Sequence, residues 1–148
     1  MARRLHVSLS RSPVMTLSRS AIGNERLVYL LAANKLVRYP RGRSRIVYVG
    51  TTKRGVRRVA ASVAGRAEAL FERRGIRGVN AHLLTYTKGS GAHALWLKLE
   101  RAVLFMFKFE YGTIPVLNKM GKNFWPGTEF AHFNKKALLK RIRTFESE

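Results

Sequence analysis

Hydrophobic and polar positions recur with two periods along the 148-residue chain, and each change of period marks an element. Arg26–Ala33 is a short apolar run of β-formers and predicts a strand; Arg45–Gly50 predicts a second. Between them, Asn34–Arg45 mixes Pro40 and Gly42 with Lys35, Arg38, Arg41, Arg43 and Arg45, which predicts a hairpin with a basic insertion holding Tyr39 to Arg45. From Gly55 to Arg74 the period is helical, with Val56, Val59, Ala60, Val63, Ala67, Leu70 and Phe71 on one face. Gly75 and Gly78 end that helix. Val79–Thr87 predicts a third strand, closed by Gly89-Ser90-Gly91. Ala92–Tyr111 predicts a long, mostly apolar helix ended by Gly112. Ile114–Lys122 is irregular, and Asn134 is placed to cap a basic terminal helix over Lys135–Phe145.

The order β-β-α-β-α-loop-α predicts an α+β domain, a small sheet covered by helices. Residues 1–25 read as a basic arm or an extra edge strand, since Leu5, Val7 and Leu9 alternate. Residues 26–122 form the core, and 123–148 an aromatic and basic extension of the same domain. The Arg- and Ser-rich start resembles an organelle transit peptide, but the arm reading is preferred to a cleaved signal. An intracellular protein, of cytoplasm or nucleoid, is the expectation, with organelle targeting left open.

Charge narrows the function. The chain has 29 Lys plus Arg against 8 Glu and no Asp, a net charge of +21. Such self-repulsion implies a polyanionic partner, and the phosphate backbone is the commonest. A disordered basic tail does not fit, because 46% of residues are hydrophobic. No cysteine is present, which removes disulfides and thiolate zinc sites. No apolar run reaches the roughly 20 residues of a membrane span, so no membrane partner is expected. His6, His82, His93 and His132 lack zinc-ligand spacing.

Glu100 is the carboxylate that stands out. On a helical wheel its neighbours are Trp96, Leu97, Val103, Leu104 and Phe107, all apolar, while Lys98, Arg101 and Lys108 lie well away. Burying it requires a partner: a salt bridge to an arginine, an escape to the core edge, or a metal. A two-metal design is not expected without Asp, but one Glu can hold one hydrated Mg²⁺. On the preceding helix Arg58, Ser62, Arg66 and Arg73 fall opposite the apolar face. Arg57 and Arg58, near the helix start, suggest a phosphate contact.

Leu27-Val28-Tyr29 and Tyr48-Val49-Gly50 resemble the paired motifs of the GIY-YIG nucleases. Arg58 follows Tyr48 at the family's spacing, Leu97-Lys98-Leu99-Glu100 resembles its metal-binding glutamate segment, and Pro115-Val116-Leu117-Asn118 is similar to its closing Pro-x-x-Asn element. The likeness spans about residues 26 to 120. It departs from the family at Leu27 (glycine), at Ser62 (often Tyr or His), at Thr51 (sometimes Lys) and in the long first connection.

The resemblance implies a three-stranded antiparallel sheet flanked by helices and a metal-dependent endonuclease acting on double-stranded DNA more than on RNA. Glu100 would ligate one Mg²⁺ or Mn²⁺, Arg58 would hold a phosphate oxygen, and Tyr48 would serve as general base or orient water. Tyr29 would support Tyr48, Asn118 would anchor its loop, and Gly50 would permit close backbone approach. Lys53, Arg54, Arg57, Arg66, Lys119 and Lys122 would bind nucleic acid, joined by Lys136. Phe124, Trp125 and Phe130 would fix the C-terminal helix or stack on bases. The rival reading is a basic nucleic-acid-binding protein without chemistry, ribosome- or nucleoid-associated, or an inactive GIY-YIG fold. Monomer, homodimer and larger complex stay open.

Overall fold

The computed structural model describes Ser12 and residues 26–73, 75–86, 95–119 and 126–147. Apart from Ser12, the N-terminal arm expected over residues 1–25 lies outside them, as do Lys122, Phe124 and Trp125. The described chain is α+β, with β1 (Leu27–Tyr39), β2 (Gly42–Thr52), α1 (Gly55–Phe71), β3 (Val79–Leu84), α2 (Leu95–Tyr111), a single turn α3 (Glu129–His132) and α4 (Lys135–Arg143). The three strands form one antiparallel sheet in the order β2-β1-β3. Among the described residues no helix is long and apolar enough to cross a membrane.

Central β1 is buried from Leu27 to Ala33 and serves two cores. Val28 and Leu30 face α2 and α4, packing with Val49, Trp96, Leu99, Val103, Phe107 and Ile142. Leu27, Tyr29 and Leu31 face α1, packing with Val47, Val59 and Leu70. A strand covered on both faces reads as a continuous apolar run, which is what Leu27–Ala33 is. The cap expected at Asn134 is present: its Oδ1 accepts from Ala137 N–H at 3.1 Å.

Three features differ from the sequence reading. The first connection is not an insertion: β1 and β2 continue past the sheet body and are joined by Pro40-Arg41 alone. The cations there interrupt a strand pattern without breaking it, since Tyr39 and Ser44 are buried while Arg38 and Arg43 are exposed. Secondly, α1 is rotated from the face its hydrophobic residues suggest. Ser62 is buried at 7% exposure and Arg66 is partly buried, whereas Ala60 is exposed and Phe71 is 44% exposed. Hydrogen bonding explains the rotation, because Ser62 Oγ has partners under the helix. Thirdly, Glu100 lies at the edge of the apolar stripe of α2 rather than at its centre. Leu97 beside it is 40% exposed, and the core runs through Leu95, Leu99, Ala102 and Met106.

Candidate active site

The site is built around an irregularity in β2. Leu31 pairs with Tyr48, but Ala32 pairs with Ile46, so Val47 is an extra residue in the ladder. A bulge of this kind re-aims the side chains that follow it. Ile46 and Val49 face α2, while Val47 and Tyr48 both face α1. Strict alternation would have put Tyr48 on the face of Ile46; the bulge instead places it beside Tyr29, with ring centroids 5.9 Å apart.

Gly50 completes the arrangement. It is the cross-strand partner of Tyr29, and its missing side chain leaves room for both phenols. A Cβ on Gly50 would lie 2.5 Å from Tyr48 Cε1 and 2.9 Å from each of the Tyr29 and Tyr48 hydroxyls. Two phenolic oxygens therefore converge on one point above the Gly50 backbone.

α1 supplies the next layer. The Tyr29 hydroxyl donates to Ser62 Oγ at 2.7 Å. Arg66 donates through Nη1 to the same oxygen at 2.6 Å, and its guanidinium carbon lies 3.8 Å from the centre of the Tyr48 ring. Burial pushes the Tyr48 pKa up, and the charge and hydrogen bond of Tyr29 push it further; the Arg66 charge opposes them, and the Glu100 charge adds to the rise. Arg66 is thus the cation in contact with the tyrosines. Arg58, expected from spacing, is exposed on the first turn of α1 and has no hydrogen bond, ion pair or ring contact among the described residues; Arg57 is exposed there too. Arg66, expected opposite the apolar face as a nucleic-acid contact, is instead partly buried against Ser62 and Tyr48.

Glu100 approaches from α2, at the C-terminal end of β2. Its Oε2 accepts from Thr51 Oγ1 at 3.4 Å, its one hydrogen bond among the described residues. Burial pushes its pKa up, and the Thr51 contact offsets this only in part. In a chain of net charge +21 no Lys or Arg among the described residues forms a salt bridge with it. The buried salt bridge weighed for Glu100 occurs instead at Glu129, which is 6% exposed and bonded to Arg101 Nε at 2.7 Å. Glu110 pairs with Arg143 at 2.8 Å, and Glu146 accepts from the Tyr111 hydroxyl.

Asn118 anchors the segment after α2 to the outer edge of β2. Its Oδ1 accepts from Val49 N–H at 2.9 Å and its Nδ2 donates to Val49 C=O at 2.8 Å. Leu117 N–H donates to Val47 C=O at 3.0 Å beside it. The amide thus pairs with Val49 as a neighbouring strand would, covering the edge next to Tyr48.

Among the basic residues expected to bind nucleic acid, Arg54, Arg57 and Lys119 are exposed. Lys53 is exposed as well and lies 5.8 Å from the Trp96 ring, one helical turn before Glu100. Lys136 is exposed on α4. Phe130 packs edge-on against Phe105, a cluster that ties α3 to α2.

Among the described residues no group of three or more His, Asp or Glu side chains could enclose a metal ion. One carboxylate is enough for a hydrated Mg²⁺, which keeps most of its water ligands. Glu100, half-buried and without a salt bridge among the described residues, could hold such an ion. Compared with known proteins, the chain matches no protein-family model, no curated protein and no solved structure.

Proposed function

We propose that this protein is a metal-dependent nucleic-acid endonuclease of the GIY-YIG kind, hydrolysing phosphodiester bonds with DNA as the expected substrate. The observation that carries the reading is the convergence of Tyr29 and Tyr48 over Gly50, backed by Arg66, with a carboxylate at the adjoining strand end that has no salt bridge among the described residues. Core packing does not call for a half-buried carboxylate that has no salt bridge among the described residues.

Glu100 would hold a Mg²⁺ or Mn²⁺ ion, which would supply Lewis-acid polarisation of the phosphate. The chain's own groups account for the rest. Tyr48, as phenolate, takes a proton from the attacking water as its oxygen bonds to phosphorus. The bond from phosphorus to the leaving oxygen breaks, and that oxygen is protonated from solvent. Tyr29 and Ser62 fix the Tyr48 ring, and Arg66 favours its phenolate. A tyrosine base is weak at neutral pH, since its ordinary pKa is about 10, so positive charge from Arg66 and from a bound ion is what the mechanism requires. Arg58 remains available to a phosphate from its exposed position, and Asn118 fixes the edge strand that carries Tyr48.

The alternative is a basic binding protein without chemistry. The upward shift of the Tyr48 pKa and the lack of a multi-carboxylate cluster among the described residues favour it. The test is to incubate wild type and Glu100→Gln with supercoiled plasmid and a structured RNA, in Mg²⁺, Mn²⁺ or EDTA. Metal-dependent cutting by wild type, with Glu100→Gln binding but not cutting, supports the nuclease reading, and the substrate cut names its class. Binding by both without cutting in any metal selects the alternative.

A further inference from the structure

The β1–β2 hairpin extends beyond β3, whose pairing with β1 ends at Ala33. Its turn is docked. Arg41 N–H donates to Tyr111 C=O at 3.1 Å, and Arg41 Nη2 donates to Lys108 C=O at 3.0 Å. Both are carbonyls of the last turn of α2; Lys108 C=O also accepts from Gly112 N–H at 2.9 Å. Gly112, at φ +83°, lets the turn come this close, since a Cβ there would lie 3.1 Å from Arg41 Nε and 3.2 Å from Pro40 Cβ. On one face of the hairpin Tyr39 packs against Phe107 and Tyr111. The ribbon is held to the domain along that face.

Its opposite face is unexplained by folding. Arg38 and Arg43 are direct cross-strand partners, and both are exposed. Like charges directly opposite in a sheet repel, and among the described residues neither has a carboxylate partner. The sequence has no acidic residue between Glu25 and Glu68. Alternation from inward-facing Tyr39 turns Arg38 and Arg43 toward the sheet face that carries Tyr29 and Tyr48. From Arg43 to Gly50 is seven residues of β2. Val47 is the extra residue of the bulge, so about six strand steps remain, and at ~3.3 Å each they span ~20 Å, about six base-pair steps at ~3.4 Å each.

We propose that the Arg38–Arg43 rung grips the backbone of a B-form duplex about six base pairs from the phosphates at the tyrosine cluster. A two-stranded ribbon fits the major groove of B-form DNA, and a docked ribbon meets its partner without an ordering penalty. The inference rests on the reading of the protein as one that acts on nucleic acid, but not on cleavage.

The test measures binding of the full chain to a fluorescent 30-base-pair DNA duplex in EDTA, over a salt series. Arg38→Gln/Arg43→Gln is expected to bind several-fold more weakly and to flatten the slope of log Kd against log salt by about 1.8, ~0.9 for each lost phosphate contact. Arg38→Lys/Arg43→Lys is expected to keep the slope. The Gln pair is expected to melt no lower than wild type, because a repulsion has been removed. An unchanged slope in the Gln pair, a slope change on an RNA duplex but not on DNA, or a lowered Tm in both double variants overturns the proposal. Cleavage enters none of these measurements, so failure of the nuclease reading is scored separately.

Discussion

The Arg66 guanidinium stacks 3.8 Å over the Tyr48 ring while its Nη1 donates to the Ser62 oxygen that also accepts from Tyr29. One cation thus touches one tyrosine directly and the other through a shared hydroxyl. Its charge lowers a Tyr48 pKa that burial and Tyr29 raise. If Tyr48 acts as phenolate, activity rises with pH, and Arg66→Gln moves that rise to higher pH. A pH-rate profile checks this, with Arg66→Lys retaining part of the effect. Arg58→Ala is expected to weaken substrate binding and leave the profile in place.

Glu100 and Glu129 should respond oppositely to neutralisation. Burial raises the Glu100 pKa, so its folded-state value exceeds the unfolded one. Its favourable contribution belongs to the protonated form and is lost as pH rises through the folded pKa. Glu100→Gln is therefore expected to leave Tm at pH 7 unchanged or raised, in EDTA, while abolishing metal-dependent cutting. At Glu129 burial also pushes the pKa up, but the backbone N–H groups of Glu129 and Gly127 and the Arg101 guanidinium together hold it below the ordinary value. That stability is present above the unfolded pKa and is lost as pH falls through the folded one. Glu129→Gln is expected to lose roughly 2 kcal/mol at pH 7, measured by denaturant unfolding.

Metal dependence should carry the same signature. Because the Glu100 pKa is raised, the ion competes with a proton at a pH above the usual carboxylate range. Apparent Mn²⁺ affinity, read by titration calorimetry, is expected to fall as pH drops through that raised value. Thr51→Val removes the hydrogen bond that partly offsets the rise, so it moves the fall to higher pH.

Gly50→Ala tests the convergence of the phenols. The added methyl would sit 2.5 Å from the Tyr48 ring, and relief requires the ring to move from Tyr29. A destabilisation of about 1–3 kcal/mol, as for other overpacked sites, with loss of cutting beyond that explained by the unfolded fraction, is expected. Equal loss of both would make Gly50 a packing residue only.

Asn118→Asp replaces the donor to Val49 C=O with an oxygen, turning one hydrogen bond into a repulsion while keeping the shape. Faster hydrogen exchange at Val49 N–H and a stability loss of about 1–3 kcal/mol are expected. Cutting should fall as β2 loosens beside Tyr48.

Local pattern made much of this protein legible. Helical and strand periods set the order of elements; Asn134 marked a helix start; Glu100 stood out as a carboxylate beside apolar neighbours. Tyr29, Tyr48 and Gly50 were visible as a pair of short motifs, and charge alone pointed to a polyanion. These signals lie within a few residues of one another, and sequence records them directly. What tertiary structure decided was orientation. A single extra residue, Val47, put Tyr48 on the face of Tyr29, and no period announces a bulge. Ser62 and Arg66 carry the polarity of an exposed face, yet α1 turns them inward because Tyr29 offers a hydrogen bond there. Whether a carboxylate is paired depends on which arginine reaches it: Arg101 reaches Glu129, and among the described residues none reaches Glu100. Partners of that kind lie tens of residues apart in the chain, so only packing could choose between them.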